Sequence, residues 1–164
     1  MCEYCGCRQV EPIAELMDEH MRLLEIAGDL RRALLESDAA TALGKRSELV
    51  DLLARHTRRE EAGVFAALKE QGDYVEQVDE LEGEHVSLDE AALALDLDSP
   101  AAVDVLDHLV ADLGEHIDKE NLGIFPVAVV TLGATGWGIV ESAHELSGAP
   151  ARGHTHTHPH THTH

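Results

Sequence analysis

The chain has 164 residues, a length that suits one domain rather than two and is large enough to bury a core without disulfides. Asp and Glu number 32 against 12 Lys and Arg, a formal net charge of −20, which repels nucleic acid and anionic membrane surfaces and leaves both out as expected partners. Apolar residues make up 44% but aromatics only 3%, an aliphatic composition that favours packed helices over sandwiches or barrels.

Residues 1–9 read as a Cys-rich arm carrying Cys2, Cys5 and Cys7. The arm has neither the basic start nor the apolar run of an export signal, and no stretch approaches 18 apolar residues, so a cytoplasmic chain with reduced thiols is expected. Two readings of the arm stand open: a plain reduced segment, or a thiol set for soft-metal binding or disulfide exchange. The bundle is expected over residues 10–146.

A first helix is predicted from about Pro12, with Ile13, Leu16, His20, Leu23, Ala27, Leu30 and Leu34 on one stripe. Ser37-Asp38-Ala39 offers a turn and a cap. The second helix carries Leu49, Leu52, His56, Glu60, Gly63 and Ala67 and stops near Gln71-Gly72-Asp73. The third carries Tyr74, Val78, Leu81, His85, Leu88, Ala92 and Leu95. Ser99 and Pro100 are the expected cap and first position of the fourth, which carries Val103, Leu106, Leu109, Leu113, His116 and Glu120 until Pro126 kinks or ends it. A short helix from about Trp137 to Leu146 closes one end. Residues 147–164 read as a small-residue linker and a disordered His-rich tail, in which alternating histidines could bind nickel, zinc or copper. His108 and His144 read as ordinary helix residues.

Two motifs each occur twice. Glu19-His20 and Glu84-His85 share E-H-x-x-L-x-E-x-A-x-x-L, while His56–Phe65 and His116–Phe125 share H-x-x-x-E-x-x-G-[VI]-F. Their order alternates, so the chain looks like a duplicated helix pair. Residues four apart lie on one helix face, so His56 with Glu60, and His116 with Glu120, can reach one ion. A lone seam histidine is more often a hydrogen-bonded core group than a ligand. Four of them with two glutamates at repeated offsets are too costly to bury unpaired, and a metal cluster satisfies them all. Gly63, Gly123, Phe65 and Phe125 read as close packing and an apolar shell over that site. Ferritin-type bundles need E-x-x-H twice, and among the four seam histidines the spacing occurs once, at Glu82 to His85. The N/O donor set suits iron or manganese better than structural zinc.

The series His20, His56, Glu60, His85, His116 and Glu120 resembles the hemerythrin-like HHE cation-binding domains over roughly residues 10–130. The resemblance implies an all-α, up-down four-helix bundle. It implies two non-haem iron ions held by those six residues, bridged by both glutamates and an oxo or hydroxo group. The oxygen carriers of the family have a fifth histidine where this chain has Asp89, and their last helix spaces its carboxylate one residue further than Glu120 stands from His116. Both departures point away from simple oxygen carriage. Asp89 is either a further ligand or a solvated helix-face acid. The expected ligands are small diatomic molecules or peroxide (O2, NO, H2O2), and no protein partner is indicated. Two function classes stay open: a centre that turns over peroxide or nitric oxide, and one that senses or stores iron or oxygen without turnover.

Overall fold

The computed structural model describes residues 10–147. The expectations for the Cys arm and the His-rich tail lie outside the described residues. Helix α1 spans Glu11–Leu35 and α2 Ala39–Glu60. A π-helical segment, Glu61–Phe65, continues α2 into α3, Ala66–Gln71. Helix α4 is Val75–Ala94 and α5 Ala102–Lys119. A second π segment, Glu120–Ile124, continues α5 into α6, Phe125–Thr131, and α7 is Ala134–Leu146. The described residues are all-helical, without strands.

Local chemistry accounts for the punctuation. Pro12 sits in the first turn of α1, where its missing N–H costs nothing. Asp38 caps α2, its carboxylate accepting from the Thr41 backbone N–H at 3.2 Å. Gly72 ends α3 in the left-handed region at φ 81°, open to glycine without a Cβ clash. The fourth long helix starts at Ala102, later than expected. Ser99 closes a preceding turn instead, with its Oγ accepting from Ala101 N–H and its carbonyl from Ala102 N–H.

Pro126 does not end its helix. It falls in the first turn of α6, directly after the π segment, and the helix runs on to Thr131. The last helix begins at Ala134, ahead of the expected Trp137, because glycine in α7 permits a close approach. A Cβ on Gly136 would meet Leu132 Cδ2 at 2.9 Å.

Helices α1, α2, α4 and α5 pack in a ring: α1 on α2 and α5, α4 on α2 and α5. The expected stripes are buried with small offsets. Ala33 and Leu53 are buried where Leu34 and Leu52 are half-buried, and Ala102 is buried where Val103 is half-buried. A 3.6-residue period drifts against a fixed seven-residue reading, so neighbours trade places at the stripe's edge. Tyr74 is exposed and precedes α4 at φ 60°. Helix α7 lies on the first π segment, on α3 and on α1, with Val140 buried. No described helix is long and apolar enough to cross a membrane.

Candidate metal centre

Each long helix contributes at least one polar group to its buried face: His20 from α1, His56 and Glu60 from α2, His85 from α4 and His116 from α5, with Glu120 opening the second π segment. All six are at most 3% exposed. Their ligating atoms fall into two overlapping groups, His20, His56, Glu60 and Glu120, and Glu60, His85, His116 and Glu120. Within each group the atoms lie within 4.8 Å of one another. Both glutamates belong to both groups, which is the arrangement of two adjacent cation positions sharing two carboxylates.

The Nε2 edges point inward. His20 Nε2 is 3.0 Å from Glu120 Oε1 and 3.5 Å from Glu60 Oε1. His116 Nε2 is 3.0 Å from Glu120 Oε1. His85 Nε2 is 3.6 Å from Glu60 Oε2 and 3.8 Å from Glu120 Oε2. His56 Nε2 lies against Glu60 Oε1.

The Nδ1 edges point outward to oxygen acceptors. His20 donates to Asn121 Oδ1 at 2.9 Å, His85 to Glu61 Oε1 at 2.9 Å and His116 to Glu84 Oε1 at 3.2 Å. His56 Nδ1 faces Glu19 Oε1 at 3.5 Å. An acceptor at Nδ1 fixes the tautomer that leaves the Nε2 lone pair for a metal.

The fit test follows from what these atoms lack. Nε2 of His20, His56 and His85, and all four carboxylate oxygens of Glu60 and Glu120, are buried with no hydrogen-bond partner among the described residues. Each such orphan costs about 1–3 kcal/mol, and more when charged. A cation between the groups satisfies them together, and the mixed N/O donor set fits one.

The charge balance agrees. Burial pushes the Glu60 carboxyl up, but His56, His20 and His85 outweigh burial and hold it well below the usual carboxylate range. Burial likewise pushes His56 down, and the Glu60 and Glu19 carboxylates carry it up to about 9. His116, buried and beside His85, is lowered to about 4. Glu60 thus keeps its carboxylate charge, which protonated His56 balances without metal and which a bound cation would balance in its place.

Aromatic rings close one side of this layer. Phe65 stacks on His85 at 5.4 Å between centroids, and Phe125 on His20 at 5.7 Å. The π segments put them there. Each phenylalanine follows its glutamate by five residues, and an ordinary α-helix would rotate it off the ligand face. The repeated offset of four and then five in both copies is the sequence signal for these segments.

Glu19 and Glu84 escaped the sequence reading. Arg59 Nη1 bonds Glu19 Oε1 at 2.8 Å, and Lys119 Nζ bonds Glu84 Oε2 at 2.9 Å, so each carboxylate stands between a buried histidine and a basic side chain. The repeat carried that signal, since both copies place an acid before the first histidine and a base before the glutamate.

Other expectations resolve individually. Gly63 is a close-packing position, because a Cβ there would meet Ala143 Cβ at 3.3 Å. Gly123 is not, since nothing lies within 4 Å of a Cβ added there; α7 covers only the first copy. Glu82 bonds Lys69 at 2.8 Å and takes no part in either donor group. Asp89 is outside both donor groups too. It is half-buried against Thr57, its Oδ2 3.5 Å from Thr57 Oγ1. His144 is more than an ordinary helix residue, since its Nε2 lies 2.7 Å from Glu15 Oε2 and ties α7 to α1.

The family model of the hemerythrin HHE cation binding domain matches residues 11–128. No curated protein and no solved structure matches the chain significantly.

Proposed function

We propose, from the premise that this chain belongs to the hemerythrin HHE cation-binding domain family, that it is an up-down four-helix bundle holding two non-haem iron ions with an oxo or hydroxo bridge. In this reading the centre reacts with or senses O2, peroxide or nitric oxide. His20 and His56 serve one position, His85 and His116 the other, and Glu60 and Glu120 bridge. One observation carries the reading: buried donor atoms without partners, sorted into two four-residue groups that share both carboxylates.

When bound, iron supplies redox chemistry and a coordination place for a small molecule. The chain does the rest. Glu61, Glu84 and Asn121 hold the outward Nδ1 protons of His85, His116 and His20, so their Nε2 lone pairs stay available, and Glu19 faces His56 Nδ1 at 3.5 Å. Phe65 and Phe125, both fully buried, cover two of the imidazoles with apolar surface. That wall favours small, weakly charged molecules. Asp89, standing outside both donor groups, leaves two histidines per position.

The test is metal analysis with an optical spectrum on protein purified without a nickel column. About two irons per chain with oxo-bridge bands is the expected result; an iron-free helical protein rejects it. The iron protein is then mixed with hydrogen peroxide, and in its reduced form with nitric oxide and with oxygen. Turnover supports an oxidoreductase. A stable, reversible adduct without turnover moves the reading to sensing or storage. A chain trimmed to residues 9–148 should keep the spectrum, because all six proposed donors lie between His20 and Glu120.

A further inference from the structure

The duplication gives each residue around the centre a counterpart for comparison. Most counterparts match in chemistry: Glu19 with Arg59 in one copy, Glu84 with Lys119 in the other. Others do not. Aligning the copies sets Glu61 against Asn121, Asp89 against Leu24, Thr57 against Ile117 and Arg58 against Asp118.

The mismatches sort by interface. Glu61, Asp89 and Thr57 lie where α2 and its π segment meet α4. There Glu61 accepts from His85 Nδ1 at 2.9 Å, and Asp89 lies against Thr57. Asn121, Leu24 and Ile117 lie on the α1 and α5 side, where Asn121 accepts from His20 Nδ1 at 2.9 Å. One seam therefore sets a carboxylate on its histidine Nδ1 and the other an amide, with Thr57 and Asp89 in the first where Ile117 and Leu24 stand in the second. Arg58 interacts with the Asp89 carboxylate, and its counterpart Asp118 is itself acidic, so the seams differ little in net charge and the difference at the histidine is Glu61 against Asn121.

We propose that the two metal positions are inequivalent: the one held by His85 and His116 takes its cation first and more tightly than the one held by His20 and His56, with Glu61 as the positioning residue. This rests on the two-metal reading above. A carboxylate on an imidazole Nδ1–H makes the other nitrogen a stronger donor, and it adds negative charge near the cation. An amide oxygen supplies the hydrogen bond without the charge. Losing such a partner typically lowers metal affinity about ten- to a hundredfold.

The experiment uses the full chain, stripped of metal and given one and then two equivalents of 57Fe(II) without oxygen. A weak chelator removes iron from exposed histidines, and Mössbauer spectra are taken at each step. The first equivalent should give one quadrupole doublet and the second a different one. Glu61→Gln, which keeps the hydrogen-bonding shape, should weaken the first step about tenfold and merge the two steps. Asn121→Asp should tighten the second step toward the first. Both equivalents entering together as a single doublet, or two-step filling unchanged in Glu61→Gln, overturns the inference and leaves the two-iron reading intact. Absence of any chelator-resistant iron overturns both.

Discussion

The polar layer divides the interior into two cores that differ in kind. On one side lie Phe65, Phe125, Ile13, Leu68 and Ala128, closed over by Val140 of α7 with Trp137 and Ile139 packed beside it. On the other lie Leu23, Leu30, Leu49, Leu106 and Leu113, with no aromatic ring in the cluster. The first core touches the centre through stacked rings, and it contains Val64 and Phe65 of the first π segment and Ile124 of the second. The second is regular α-helical packing at seam spacing. One end of the molecule is therefore shaped for the site, while the other mainly holds the four helices together. Between them the six buried polar groups leave most of their inward atoms without hydrogen-bond partners, which a bound cation would satisfy.

The largest effect should come from the layer itself. Glu60 and Glu120 belong to both donor groups, whereas each histidine belongs to one. Glu60→Ala should therefore abolish binding of both metals, while His56→Ala should leave about one per chain. Metal analysis after chelator washing reads the difference directly, and equal retention in the two variants would break the bridging assignment. Stripping the metal should also lower the melting temperature. A ligand at a thousandfold excess over its Kd stabilises a fold by about 4 kcal/mol.

The two cores should then separate under matched truncations. Phe65→Ala should cost about 3–5 kcal/mol, and Leu106→Ala about 2–5 kcal/mol, both sites being fully buried. Their spectroscopic outcomes should differ. Phe65→Ala uncovers His85 and should alter the metal absorption bands, whereas Leu106→Ala should leave them unchanged at equal metal content. A spectrum that shifts equally in both would mean that the aromatic side has no special tie to the centre.

The sequence made the aliphatic core legible because that core follows a single period. Leu23, Leu30, Leu106 and Leu113 are all buried as the stripes indicate. The six polar seam positions were legible for the same reason, being histidines and glutamates at apolar places. The aromatic core was less so. A π turn makes no signal in a 3.6-residue reading, so Phe65 and Phe125 stood off the stripes although both are fully buried. The outward shell was harder still, since Glu61 and Asn121 act across an interface that only the packing of helices creates. The start of the last helix, expected near Trp137, lies at Ala134, and Pro126 interrupts its helix only as far as the π segment before it, since tertiary packing overrides local breakers when the neighbouring turn adapts.

The smallest effect is also the most direct check that α7 covers one copy and not the other. In a helix interior, replacing glycine with alanine gains about 0.8–1.0 kcal/mol from reduced backbone freedom in the unfolded chain. At Gly123 nothing opposes that gain, since no atom lies within 4 Å of the added Cβ. Gly123→Ala should therefore stabilise the protein by up to about 1 kcal/mol. At Gly63 the new methyl would sit 3.3 Å from Ala143 Cβ and 3.7 Å from Val140 Cα. Neither neighbour is the flexible end of a side chain, so α7 must move as a unit by a few tenths of an ångström. Overpacking of this kind costs about 1–3 kcal/mol. The net for Gly63→Ala is then a loss of about 1 kcal/mol, opposite in sign to its repeat counterpart. Thermal melts of the two metal-loaded variants should bracket the parent, a few degrees to either side. If both variants melt above it by the same amount, α7 does not rest on the first π segment as the structure places it.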